Sequence, residues 1–165
     1  MSELLTRGVT NVTPKDLAEK KLKAGKPIRV YLGIDPTGAH LHLGHSVPLR
    51  KLQAFAEAGN EVVFLIGSFT AMIGDPSGQD KMRVALTKED VEKNFEEYKK
   101  QAEKVLDFSK IEIRYNHEWL EKLGFEDIAT LGSHITVQQM LERDMFAKRI
   151  KEGNSIAISE FLYPL

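Results

Sequence analysis

Residues 61–67, EVVFLIG, run apolar almost without interruption. A strand covered on one face alternates polar with apolar residues, whereas one covered on both faces, as in a parallel sheet flanked by helices, has no need to. The preceding segments fit the same frame. IRVYLGI (28–34) places Ile28, Val30, Leu32 and Ile34 on one face and Arg29, Tyr31 and Gly33 on the other, so Tyr31 points away from the apolar row. Between the two strands, Val47, Leu52, Phe55 and Ala56 recur at helical spacing over 43–58 until Gly59-Asn60 stops the run. Strand, helix and strand in that order form a βαβ unit, because parallel neighbours need a crossover.

The pattern extends in both directions. Residues 14–24 read as a helix with Thr13 as N-cap, Pro14 at the first position and a KAGKP stop. Thr87 and Asp90 form a capping box for a helix of about 19 residues, striped with Val91, Phe95, Tyr98, Ala102 and Val105. Glu89–Lys93 and Glu96–Lys100 can pair on its wet face. IEIRYN (111–116) is a third strand. The fold class is therefore α/β: a Rossmann-like parallel sheet in β-α-β-α-β order over 27–116, followed by a helical segment over 117–165. ITVQQMLERDMFAKRIKEG (135–153) has mixed periodicity, and ISEFLYPL closes the chain while still apolar, which reads as a single, truncated domain.

Composition narrows the function classes. A chain of 165 residues suffices for one core. With 23 Lys+Arg against 24 Asp+Glu, no overall basic field advertises nucleic acid or an anionic membrane. The absence of cysteine excludes disulfides, CxxC redox chemistry and thiolate metal sites, and fits the cytoplasm. No apolar run is long enough for a signal peptide or a membrane span, so no membrane partner is expected.

Ligands of such sheets collect beyond the carboxyl ends of the strands, where the strand order reverses. Two loops stand there: DPTGAHLHLGH after the first strand and SFTAMIGDPSGQDKMR (68–83) after the second. Both combine glycines, polar side chains and a helix N-terminus, which suits a phosphate-bearing ligand. Neither G-x-x-x-x-G-K-[ST] nor G-x-G-x-x-G is present. His40, His42 and His45 could also converge on a metal, although His42 and His45 open a helix whose dipole disfavours a cation. Plain surface histidines at a βα turn are the bland alternative. Asp75-Pro76-Ser77-Gly78 likewise fits an ordinary type I turn, and Trp119 reads as core.

In order and spacing, YLGIDPTGAHLHLGH (31–45), LIGSFTAMIGDPSG (65–78), YNHEW (115–119) and EFLYPL (160–165) resemble the catalytic domain of bacterial tyrosyl-tRNA synthetases. HLGH is a variant of the HIGH signature of class I aminoacyl-tRNA synthetases. IGDPSG and the tyrosine ahead of the first turn separate the tyrosyl enzymes from their tryptophanyl relatives. The resemblance implies ATP-dependent activation of L-tyrosine to tyrosyl-adenylate and its transfer to tRNA(Tyr), with Mg2+ accompanying ATP and no tightly held metal. It implies that His42 and His45 meet the ATP phosphates, that Thr37 donates to the leaving pyrophosphate, and that Gly44 lets the adenine lie on the helix. Arg83 matches a loop residue that clamps pyrophosphate. Asp35 would serve both nucleotide and amino acid. For tyrosine, Tyr31 would meet the phenol and Thr70 and Asp75 the ammonium, with Asn116 in support and Tyr163 on the ammonium side; Gly33 is a further tyrosine-binding position. The chain departs from the family at Gln79, where a lysine is usual; Lys81 lies nearby.

The same resemblance implies that the KMSKS loop and the anticodon-binding domain are not within these residues. It also implies a homodimer through 120–160, for which Ile135, Val137, Met140, Leu141, Met145, Phe146 and Ile150 are candidates; a helical core stripe explains them equally well. The chain alone is then expected to bind ATP and tyrosine only weakly. Two other classes remain open: a non-catalytic nucleotide-binding or assembly module of the same fold, and a metal-dependent hydrolase built on His40, His42 and His45.

Overall fold

The computed structural model describes residues 2–76 and 86–165. In chain order the elements are α1 (Lys15–Lys23), β1 (Arg29–Ile34), α2 (Leu43–Glu57), β2 (Glu61–Ile66), α3 (Thr70–Ile73), α4 (Lys88–Ala102), β3 (Ile111–Tyr115), α5 (His117–Leu120), α6 (Phe125–Gly132), α7 (Val137–Leu141) and α8 (Asp144–Lys151). Short 3-10 helices occupy Glu3–Leu5 and Ile158–Leu162. The sheet has the order β1-β2-β3, and β1 pairs parallel with β2 from Arg29↔Glu61 to Ile34↔Ile66.

The chain divides into two compact units. The first takes the described residues of 1–34, 38–66 and 95–114. Its core forms where α2 packs on β1 and β2. Leu49, Leu52, Phe55 and Ala56 from the helix are buried with Val62, Phe64 and Ile66 from the central strand, and burial of this apolar surface is the main drive for the unit. Tyr98 and Phe108 flank Phe64 at centroid distances of 6.2 and 6.0 Å; burial pushes the Tyr98 hydroxyl up to about 12. Asn60 ties helix to strand, donating to the Phe55 carbonyl at 3.1 Å and accepting the Ile28 N–H at 3.2 Å.

The second unit takes 35–37, the described residues of 67–94, and 115–165. There α7 packs on α8, and α3 packs on the 3-10 helix Ile158–Leu162. Met140 and Phe146 are buried, the latter edge-on to Phe161 at 4.9 Å.

Several expectations need correction. Pro14, not Thr13, is the N-cap of α1: its extended backbone makes Lys15 the first helical residue, and the Thr13 hydroxyl accepts from Asn11 instead. Val47 is 57% exposed, because the buried face of α2 runs through Leu49, Leu52, Phe55 and Ala56. The central strand alternates buried with half-buried residues, so its second face is only partly covered. The Thr87–Asp90 capping box forms, with N–H bonds of 3.2 and 3.1 Å. The helix it starts ends at Ala102, however, where the chain tightens and delivers Leu106 rather than Val105 to the core. Lys100 pairs with Glu97 at 2.8 Å rather than with Glu96. Trp119 is 43% exposed, on a single helical turn that buries none of its own residues; the buried residue there is the preceding Asn116. Of the interface candidates, Met140 and Phe146 face inward, while Val137 and Ile150 are exposed.

Candidate functional site

In the first unit the two histidines of HLGH cap α2 with each other's help. His42 takes an extended N-cap conformation, φ -122° and ψ 172°, and its Nδ1 accepts the Gly44 N–H at 3.1 Å. The His45 Nδ1 accepts the His42 N–H, also at 3.1 Å, closing a capping box in which both members are imidazoles. Their ring centroids lie 3.9 Å apart, and His45 meets Tyr98 edge-on at 6.0 Å. A backbone N–H can only donate, so each Nδ1 must carry a lone pair, which puts the proton of each neutral ring on Nε2. The arrangement leaves two Nε2–H donors at the N-terminus of a 15-residue helix, where an anion is favoured.

Gly44 is required by this geometry, because a Cβ there would stand 2.8 Å from His42 Cε1 and 2.9 Å from its Nδ1. Gln101 of α4, which sequence reasoning missed, pins the preceding loop: its Nε2 donates to the Ala39 carbonyl at 2.6 Å and its Oε1 accepts the Leu41 N–H at 3.0 Å. An amide one residue before Ala102 on an otherwise apolar stripe was the available signal. His40 is exposed, and among the described residues no three of His, Cys, Asp or Glu gather closely enough to hold a metal ion. Tyr31 is 70% exposed on the polar face of β1, and Gly33 shares that face with room for a Cβ, which would meet only Leu65 at 3.9 Å.

Burial, and then the neighbouring His42, hold His45 below its ordinary value of 6.5. Its protonation would also convert Nδ1 from acceptor to donor and break the cap. The unfolded chain therefore takes up this proton first, and the stability the cap contributes is complete above pH 6.5 and lost as the pH falls below it. A 15N-resolved histidine titration is expected to show His45 titrating below 6.5 with its neutral form as the Nε2–H tautomer; a Nδ1–H tautomer would contradict the capping geometry.

The second unit holds a polar network assembled from the segments that directly follow all three strands. Asp35 follows β1, Gly67 to Thr70 follow β2, and Asn116 and His117 follow β3. The Thr70 hydroxyl donates to Asp35 Oδ1 at 2.7 Å, and the Tyr163 hydroxyl donates to Asp35 Oδ2 at 2.8 Å. Thr70 Oγ1 accepts from the Asn116 amide at 2.9 Å, so hydrogen bonds run from amide to hydroxyl to carboxylate and reinforce one another. Asn116 is buried; its Oδ1 accepts the Phe69 N–H at 2.7 Å. Ser68 Oγ lies 2.7 Å from His117 Nδ1 and 3.5 Å from Asn116 Oδ1. Gly67 permits all of this, because a Cβ there would sit 1.7 Å from Asp35 Oδ1 and 2.5 Å from Thr70 Oγ1.

The geometry thus gathers Asp35, Thr70, Asn116 and Tyr163. Asp75 lies half-buried after Gly74, and Thr37 is exposed with its N–H on the Asp35 carbonyl at 2.8 Å. Arg83, Gln79 and Lys81 lie outside the described residues. Sequence reasoning missed Gly67, Ser68 and His117, whose only signal was adjacency to Thr70 and Asn116.

The family of class I tRNA synthetases (W and Y) matches residues 23–165. A tyrosine–tRNA ligase 2 of Vibrio vulnificus is 50% identical over 161 residues, covering 98% of this chain and 41% of the relative. The tyrosine–tRNA ligase of Thermotoga maritima is 50% identical over 163 residues, 99% of this chain and 41% of the relative. Among solved structures, a C-terminally truncated mitochondrial tyrosyl-tRNA synthetase of Aspergillus nidulans superposes with a TM-score of 0.82 at 25% identity, over 98% of this chain and 50% of that one. The chain therefore spans about two fifths of the length of the curated relatives it matches.

Proposed function

This chain belongs to the class I tRNA synthetase family of the tryptophanyl and tyrosyl enzymes, and from that membership we propose that it is the N-terminal, ATP- and tyrosine-binding part of a tyrosyl-tRNA synthetase catalytic domain. In the complete protein the tyrosine carboxylate attacks the α-phosphate of ATP, a new C–O–P linkage forms, and pyrophosphate leaves. The tyrosyl group then passes to tRNA(Tyr), and AMP leaves. The nucleophile is already ionised, so the protein's task is positioning and charge stabilisation.

The Asp35 network carries the reading. A carboxylate fed by two hydroxyl donors and backed by a buried amide is a site for a cation that makes hydrogen bonds, and the substrate ammonium is such a group. Asp35, Thr70 and Tyr163 hold it, with Asn116 in support and Asp75 as a further carboxylate. Tyr31 and Gly33 serve the phenol. The Nε2–H donors of His42 and His45 suit the phosphates, Thr37 suits the departing pyrophosphate, Gly44 leaves the helix start open to the adenine, and Arg83 is the basic residue assigned to pyrophosphate. Magnesium enters with its substrate as MgATP.

A homodimer through residues 120–160 is supported by the exposure of Phe125 at 91% and of Val137 and Ile150 nearby in sequence. No helix among the described residues is long and apolar enough to cross a membrane; the cytoplasm is the proposed location.

The test is tyrosine-dependent exchange of pyrophosphate into ATP, with phenylalanine and tryptophan as controls. Exchange specific to tyrosine in the complete protein, slowed about tenfold or more by His45→Ala through the loss of a bond to a charged group, is the expected result. Exchange that His45→Ala leaves unchanged overturns the phosphate role of the histidines, and a folded chain that shows no amino-acid preference overturns the tyrosine site.

A further inference from the structure

The second unit buries an ion pair that the proposed chemistry does not use. Arg149 on α8 and Glu160 in the 3-10 helix Ile158–Leu162 are each 2% exposed. Both Arg149 terminal nitrogens donate to Glu160: Nη1 to Oε2, and Nη2 to Oε1 at 3.2 Å. Nη2 also donates to the Ser155 carbonyl, and Glu160 Oε1 accepts the Ala157 N–H at 2.8 Å. The Arg149 Nε–H is buried without a partner.

Stability alone does not call for such a pair. Desolvating two charges costs roughly what their attraction returns, and apolar side chains of similar volume serve a core as well. What a planar fork adds is geometry, since it fixes the direction of the carboxylate and of the backbone that carries it. Here that backbone leads to the site. Residues three apart in a 3-10 helix lie one above the other, and three residues after Glu160 comes Tyr163, the C-cap of that helix. Its hydroxyl reaches Asp35 Oδ2 at 2.8 Å. The same short helix packs on α3, which carries Thr70, the donor to the other Asp35 oxygen. The Phe146–Phe161 contact is a second tie to α8, but an aromatic contact leaves rotation about the helix axis less constrained than a two-pronged hydrogen-bonded fork.

We infer that Arg149 and Glu160 are positioning residues for the amino-acid site: the fork on α8 sets the 3-10 helix so that the Tyr163 hydroxyl and Asp35 meet in the geometry that takes the substrate ammonium. The inference rests on the reading of Asp35, Thr70 and Tyr163 as the ammonium site. It assigns no contact between the pair and the substrate.

The experiment uses the 165-residue chain in five forms: unchanged, Arg149→Met/Glu160→Leu, Arg149→Lys, Tyr163→Phe and Asp35→Ala. Two quantities are read. The 13Cζ resonance of Tyr163 reports its hydrogen bond to Asp35 without any ligand, calibrated by Asp35→Ala; equilibrium dialysis gives Kd for L-tyrosine and, separately, for MgATP. The double variant is expected to fold, to shift the Tyr163 resonance toward its Asp35→Ala position, and to weaken L-tyrosine about tenfold with MgATP unchanged. Arg149→Lys keeps the charge but cannot fork, and is expected to move both readouts in the same direction by less. A Tyr163 resonance and a tyrosine Kd that stay at their original values in both pair variants overturn the inference. Failure of the underlying reading looks different: Tyr163→Phe, or the unchanged chain, would then show no tyrosine affinity traceable to that hydroxyl, while the Tyr163 resonance still responded to the pair.

Discussion

Gly67→Ala is expected to weaken L-tyrosine binding about a hundredfold or more. An added Cβ would stand 1.7 Å from Asp35 Oδ1 and 2.5 Å from Thr70 Oγ1. Residue 67 follows directly on β2 and residue 35 on β1, so neither backbone is at liberty to retreat. The carboxylate must swing away, and in doing so it gives up the hydroxyl donors Thr70 and Tyr163. A hydrogen bond to a charged group contributes about 1.5–3 kcal/mol. Losing two corresponds to a drop in affinity of about a hundredfold or more. Gly33→Ala is the control on the strand itself, because its Cβ would meet only Leu65 at an ordinary 3.9 Å. Isothermal calorimetry on the two variants decides the point. A Gly67→Ala protein that binds tyrosine with its original affinity would show that Asp35 is not the anchor of the site.

The position of Gly67 illustrates which parts of this molecule are legible in its sequence. Elements that depend on local pattern are: the alternation of IRVYLGI, the apolar run of EVVFLIG and the Thr87–Asp90 box each correspond to the element their spacing implies. So is the gathering of ligand-facing loops after strands, since it follows from a parallel sheet. Features set by tertiary contact are not. Gly67 reads as an ordinary strand end until Asp35 is placed beside it. His42 and His45 are legible as a pair of imidazoles, but their tautomers follow only from which backbone N–H groups they accept. Val47 and Trp119 fail for the complementary reason. Helical spacing for the one and residue type for the other say which residues could face a core, not whether anything packs against them.

The same limit hides the Arg149–Glu160 pair, where a charge run on an amphipathic helix reads as a wet face. Its removal gives the second large effect. Arg149→Met alone strands a carboxylate in the interior and is expected to cost the second unit about 3–5 kcal/mol, whereas Arg149→Met/Glu160→Leu should stay within about 1 kcal/mol of the original or exceed it. Trp119 is the single tryptophan and lies in that unit, so its fluorescence during urea unfolding reports the right transition. The pH dependence supplies an internal check. In the intact pair, burial alone would raise the Glu160 carboxyl, but the Arg149 hydrogen bond, the Ala157 N–H and the Arg149 charge outweigh it and hold the group below its ordinary 4.5. The unfolded chain therefore binds that proton first, so the pair's contribution is complete above pH 4.5 and is lost as the pH falls. With Arg149 gone, only burial and the single N–H remain, the folded carboxyl rises above its unfolded value, and the sign reverses: the single variant regains stability as Glu160 is protonated and loses it as the pH rises. A slope of the same sign in both proteins would mean that Glu160 does not depend on Arg149 for its charge.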